Sequence, residues 1–342
     1  MEKNKVVTFG EIMLRLSPPG SHRFLQATSF DAVYGGGEAN VAVSLANFGL
    51  QSQFISKIPE HEIGQCAVNA LRLHGVRTEG IKRGGQRLGI YFCESGASQR
   101  PSKVIYDRAG SSIAEVAPGE FDWHQIFQDA AWFHFTGITP ALSDRAAAVT
   151  LEALQVAQEM KVKVSVDLNY RKKLWTPEKA QRIMGQLMEY VDVIISNEED
   201  AEKVFGIQAG SSDIATGDLH EAGYREVARE LVSRFGVEKV AITLRESLSA
   251  SDNNWSGMLY DGSQVYDSRK YSIHLVDRVG GGDSFCGGLI YALLMGRDPQ
   301  YAVEFAAAAS CLKQTIHGDF NLVSVQEVEH LMAGDASGRI QR

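Results

Sequence analysis

Asp277-Arg278-Val279-Gly280-Gly281-Gly282-Asp283-Ser284-Phe285 sets three consecutive glycines before a carboxylate, and a helical apolar pattern follows from Ser284 to about Met295. Glycines let backbone N–H groups turn inward without Cβ clashes. The start of the following helix adds unpaired N–H groups and the positive end of its dipole. Together they suit an anion, most commonly phosphate. Asp283 at the mouth would repel that phosphate unless it has a task, and the task that fits is taking a proton from an attacking hydroxyl. The plainer alternative is a glycine-rich turn with Asp283 as its N-cap. A second cluster, Gly35-Gly36-Gly37-Glu38-Ala39-Asn40, also precedes a helical stretch. It would let backbone approach a polyol, with Asn40 offering a donor and an acceptor to hydroxyls; the plainer alternative is a flexible turn.

These loops need a scaffold. Val6–Gly10 reads as a buried strand, 38–48 as a helix ended by Gly49, 54–56 as a strand, and 63–73 as a helix ended by Gly75. After Pro118 the alternation continues with strands at 132–135, 162–167, 191–195 and 240–243. Helices are expected at 143–160, 177–188, 198–205, 224–235, 284–295, 299–312 and 324–332. Strand–helix alternation means a mostly parallel sheet covered on both faces. Ligands then bind beyond the carboxyl ends of the strands, in the loops 167–173, 197–200, 243–247 and 277–283. Two stretches break the alternation. Met13–Leu16 and Ala32–Tyr34 flank a Ser-Pro-Pro-Gly segment, and Gly89–Cys93 and Val104–Tyr106 read as a hairpin; the two inserts could pair into one small sheet. A further hairpin is expected around Asp261-Gly262.

The 342 residues, 44% hydrophobic, suffice for one large α/β domain with a small appendage. A net charge of −8 argues against a nucleic-acid partner. The nine histidines form no ligand cluster, and the four cysteines (Cys66, Cys93, Cys286, Cys311) form no CxxC, so neither a structural metal nor a disulfide framework is expected. No apolar stretch reaches spanning length. The N-terminus reads as a first strand rather than a signal peptide, so a cytoplasmic protein without a membrane partner is expected. The dinucleotide fingerprint is missing after the first strand, and no GxxxxGK[ST] is present, which disfavours nicotinamide oxidoreductases and P-loop enzymes.

Gly35–Gly49 resembles the first signature of the ribokinase-like sugar kinases, and Asp277–Phe285 resembles their second, DTxGAGDxF. The resemblance runs from about residue 5 to 333. It implies a three-layer α/β/α core (1–11, 36–86 and 114–333), a β-lid (12–35 and 87–113) and a loose tail (334–342). It also implies ATP and Mg²⁺, with Asp283 as the base and the amides of Gly280, Gly281, Gly282 and Asp283 as the anion hole. ATP contacts are implied at Asn169, Arg171, Ser196, Thr243, Arg245, Gly280 and Gly282. Hydrated Mg²⁺ is implied at Asn197 and Asp200, acting through water. Phosphoryl transfer needs positioning and charge neutralisation more than covalent chemistry, which agrees with the residue-level reading.

Val166–Arg171, Leu174-Trp175 and Lys313–Phe320 resemble the 2-keto-3-deoxygluconate kinase branch. That implies substrate contacts from Gly35, Gly36, Asn40, Tyr91, Tyr106, Arg108, Arg171 and Asp319. Arg108 and Arg171 would supply the cations an acid sugar needs. Plainer alternatives are sheet packing for the tyrosines, a solvated basic run for Arg171, and an ordinary loop Asp for Asp319. The chain departs from the family pattern at Arg278 (usually Thr), Gly281 (usually Ala), Asp200 (closing NxxE), Arg245 (in place of the glycine-containing TxGxxG) and Ala307 (often Asn). Fructokinase and 5-dehydro-2-deoxygluconate kinase are the alternative activities. A non-catalytic sugar-binding module would gain nothing from Asp283. Homodimers through the open lid edge are the family expectation.

Overall fold

The computed structural model describes residues 4–197, 199–208 and 221–334. Glu198 and all but the first residue of the expected loose tail lie outside the described residues. Six strands run parallel in the order Gln51–Ile55, Lys5–Phe9, Ala130–Thr136, Lys163–Asp167, Val193–Ser196 and Lys239–Ser247. Asp252–Tyr260 then returns antiparallel and carries Val265–Asp267 and Tyr271–His274, completing nine strands.

Side-chain alternation along each strand divides the core between two faces. Val7, Phe133, Ile194 and Val240 pack on one side, while Val6, Trp132, Val193 and Ala241 pack on the other. The first face is covered by Asp144–Glu159, Pro177–Leu187 and Glu221–Phe235, and the second by Gly37–Asn47, Gly281–Leu294 and Pro299–Lys313. Helix starts follow local chemistry. Ser143, Thr176 and Asp298 accept from Ala146 N–H, Lys179 N–H and Tyr301 N–H at 3.0, 3.3 and 2.9 Å. Pro177 and Pro299 take the first turns, where a missing N–H costs nothing.

The structure corrects several boundaries. The hairpin expected around Asp261-Gly262 is present, Asp252–Tyr260 pairing with Val265–Asp267, and a second, longer hairpin joins the other end of Asp252–Tyr260 to Lys239–Ser247. Polar residues at its tip disguise the strand pattern; there the Asn254 amide donates to Glu246 at 2.9 Å. The helix expected from Ser284 begins at Gly281, capped by Gly280 at φ +82°. Asp283 therefore lies inside the first turn and is not the N-cap.

The inserts form a separate four-stranded sheet in the order Asp31–Gly35, Met13–Ser17, Gly89–Glu94 and Lys103–Asp107. Its root is fixed by Arg15, which is buried and bridges Asp277 at 2.8 Å and Asp319 at 2.9 Å. Its tip touches the large hairpin: Ala250 N–H donates to the Ser98 carbonyl at 2.7 Å, and Ser98 N–H donates to Ser251 Oγ at 2.9 Å. No helix among the described residues is long and apolar enough to cross a membrane.

Candidate active site

The strand ends and the small sheet enclose a cavity of about 390 Å³. Its lining includes every expected site residue except Gly35 and Asp200. Gly35 lies just beneath, where an added Cβ would sit 2.2 Å from Asp319 Oδ2. Asp200 lies in an adjoining outer cavity of about 1050 Å³, which shares Tyr106, Arg108, Arg171, Asn197 and Arg245 with the inner one.

Asp283 faces the Asn40 side-chain amide, which donates to Oδ2 at 2.6 Å. Burial pushes its carboxyl up to about 6; the Asn40 bond pulls the other way, and Asp319 adds to the rise. Gly280 can hold its left-handed backbone only without a side chain. A Cβ there would also lie 2.0 Å from the Asp319 carbonyl. The first-turn N–H groups of this helix have no intrahelical acceptors and so can cradle an anion.

Three of the expected site residues have partners within the chain. Asn40 was expected to offer both ends of its amide to hydroxyls, but Nδ2 is engaged by Asp283 and Oδ1 accepts from Gly36 N–H at 3.2 Å. It orients the carboxylate. Arg108 pairs through Nη2 with buried Glu11, and its Nε has no hydrogen-bond partner; it stacks over Tyr106 at 5.4 Å. Tyr91 donates to Asp319, whose other oxygen takes Arg15. Arg171 is different. It is half-buried and donates to the Tyr170 carbonyl at 3.4 Å, with no carboxylate at ion-pair distance among the described residues.

Asn169 donates to Asp167 at 3.2 Å and Thr243 donates to the Ser196 carbonyl at 3.4 Å. Asn197 Oδ1 accepts from Glu199 and Asp200 N–H groups at 2.9 and 3.0 Å and so starts the helix Asp200–Phe205. Burial, then Asp200 and Asp283, hold the Asp167 carboxyl well above the usual carboxylate range. Such mutually repelling carboxylates fit a divalent cation. No three acidic, His or Cys groups among the described residues are placed to clasp one directly. Burial and then Arg245 lower the affinity of Arg278 for its proton. Two guanidinium groups that repel each other beside a glycine-lined hole suit a polyphosphate.

Glu38 was not singled out in the sequence, although it sits within the second glycine cluster. It is almost fully buried, and Oε1 accepts from Thr136 N–H, Thr136 Oγ1 and Thr139 Oγ1 at 3.0, 2.8 and 2.6 Å. Burial pushes its carboxyl up to about 7 despite these bonds. A raised folded pKa stabilises the fold fully below the unfolded value, and that stabilisation is lost as pH rises through about 7. The loss is on the order of 3 kcal/mol. Melting temperature should therefore fall between about pH 4.5 and 7, and Glu38→Gln should flatten that fall; equal slopes would reject the assignment.

The pfkB family carbohydrate kinase pattern matches residues 3–323. A 2-dehydro-3-deoxygluconokinase crystal structure from Thermotoga maritima is 55% identical, with a TM-score of 0.93, covering 96% of this chain and 99% of that one. A 2-dehydro-3-deoxygalactonokinase of Haloferax volcanii is 34% identical over 98% of each chain. A 2-dehydro-3-deoxygluconokinase of Thermoproteus tenax is 30% identical over 96% of this chain and 94% of its own. The match runs from the first strand to beyond the helix Gly281–Leu294, and the likeness covers both members of each pair almost end to end; the chain belongs to the pfkB family of carbohydrate kinases and is a phosphotransferase.

Proposed function

We propose that the protein transfers the γ-phosphoryl group of ATP to the terminal hydroxyl of a 2-keto-3-deoxy sugar acid. The observation that carries the substrate class is Arg171, a guanidinium in the cleft without a carboxylate partner among the described residues. Asp283, lining the same cavity, takes the hydroxyl proton as the acceptor oxygen bonds to phosphorus and the bond to the ADP oxygen breaks. The amides of Gly280–Asp283 face the charge that develops, and Arg245 and Arg278 hold the polyphosphate. Asn197 and Asp200 would hold hydrated Mg²⁺, which supplies charge neutralisation on the phosphates when bound. Asn169, Ser196 and Thr243 line the nucleotide side. Gly35, Gly36, Tyr91, Tyr106, Arg108 and Asp319 shape the sugar side.

The relatives named for the gluconate and galactonate acids make both epimers candidate acceptors. The test is an ADP-release assay with Mg-ATP and five acceptors: the two 2-keto-3-deoxy acids, 5-dehydro-2-deoxygluconate, fructose and ribose. Turnover of one or both 2-keto-3-deoxy acids, well above the rest, is expected. Preference for a neutral sugar would reject the carboxylate argument. Arg171→Ala should raise KM for the acid by about 10–100-fold, the worth of a charge-assisted hydrogen bond. KM for fructose should hardly move; equal effects on both would remove Arg171 from carboxylate recognition.

A further inference from the structure

Lys313 ends the helix Pro299–Lys313 and has no exposed surface. A buried lysine requires compensation, and here it is complete. Nζ donates to the carbonyls of Asp277, Ile316 and Gly318 at 3.2, 3.3 and 2.6 Å. A neutral amine carries only two N–H groups, so three acceptors call for the ammonium ion. Burial lowers its proton affinity, and the Asp277 and Asp319 carboxylates oppose that.

The three carbonyls come from two segments. Asp277 begins the anion-hole loop, whereas Ile316 and Gly318 belong to the loop that carries Asp319. Three carbonyl oxygens converging on one point repel one another unless a cation sits between them. The lysine stem also packs under the hole: a Cβ on Gly280 would lie 3.2 Å from Lys313 Cε. In a trans peptide, C=O and N–H point opposite ways, so holding the Asp277 carbonyl inward turns the Arg278 N–H away from Lys313.

We infer that Lys313 is a positioning residue, a built-in monovalent cation that clamps the two loops of the anion hole, so that turnover needs no alkali ion from solution. The catalytic consequence rests on the phosphoryl-transfer reading above. A ring of carbonyls replaces the hydration shell of a monovalent cation. Removing the lysine should therefore leave a site that potassium or ammonium can fill.

The experiment compares wild type, Lys313→Ala and Lys313→Met in tetramethylammonium, sodium, potassium and ammonium chlorides. Wild-type kcat should be the same in all four salts. In tetramethylammonium, Lys313→Ala should lose about 10²-fold in kcat, the scale of a misplaced oxyanion donor. Potassium or ammonium should restore most of that loss and raise the melting temperature of this variant, leaving the wild-type melting temperature unmoved. Lys313→Met, whose side chain fills the space, should be impaired and refractory to salt. Potassium stimulation of the wild type would overturn the inference. So would full activity of Lys313→Ala in tetramethylammonium, or a loss that no cation repairs. If Lys313→Ala does not fold, a folded Lys313→Met decides: lowered kcat with unchanged sugar KM supports the clamp, and unchanged kcat overturns it. A wild type that phosphorylates no acceptor would sink the proposed function, while the melting-temperature arm still tests Lys313.

Discussion

Asp283→Asn should lower kcat by about 10²–10⁴-fold, the usual worth of a positioned base, while sugar binding survives because the amide keeps the carboxylate's shape. The carboxylate is steered by Asn40 at 2.6 Å and sits at the first turn of the glycine-capped helix. Its environment also sets a pH limit. A free Asp is ionised well below neutrality, but burial moves this one up to about 6. The base is therefore lost as pH falls through about 6, and wild-type kcat/KM should show an acid limb there. Near-normal turnover in the Asn variant would remove Asp283 as the base. An acid limb near the ordinary carboxylate value would leave the base but reject its environment.

Arg15→Met should destabilise the fold by about 3–5 kcal/mol, the usual effect of stripping one partner from a buried ion pair. Arg15 bridges Asp277 and Asp319 from the small sheet, and all three are buried. Burial raises the Asp319 carboxyl and Arg15 pulls it down. Without the guanidinium that carboxyl rises further, so the stability deficit should be largest at neutral pH and shrink as acid protonates it. Adding Asp319→Asn should recover part of the loss, because one buried charge is then gone. Urea unfolding of the single and double variants measures this. An effect within about 0.5 kcal/mol, the level of a surface change, would show that the bridge does not secure the sheet.

The parallel core was legible because its strands are short apolar runs and its helices carry explicit starts, as at Thr176-Pro177 and Asp298-Pro299. The small sheet was legible as two stretches where no long helix fits. The Lys239–Ser247 and Asp252–Tyr260 hairpin was largely missed, since its tip residues Arg245, Glu246, Asn253 and Asn254 are polar on both faces. In the cleft, sequence located residue types better than their partners. Arg108 and Asn40 were visible as donors, but nothing local shows that Glu11 and Asp283 engage them across 97 and 243 residues of chain. Arg15 and Lys313 carried a usable signal. Each is a charge embedded in an apolar or helical run, where burial demands a partner. Glu38 was hidden among glycines that drew attention to the backbone instead.

The small sheet is anchored unequally. At its root, buried ion pairs join Arg15 to Asp277 and Asp319. At its tip, two hydrogen bonds between Ser98 and the Ala250-Ser251 corner hold it down, and bonds of this kind contribute only about 0.5–1.5 kcal/mol each. Of the two attachments, the one at the tip costs less free energy to break. Parting the tip would leave both ion pairs of Arg15 in place, so the yielding and the unyielding attachments of one sheet lie at its opposite ends.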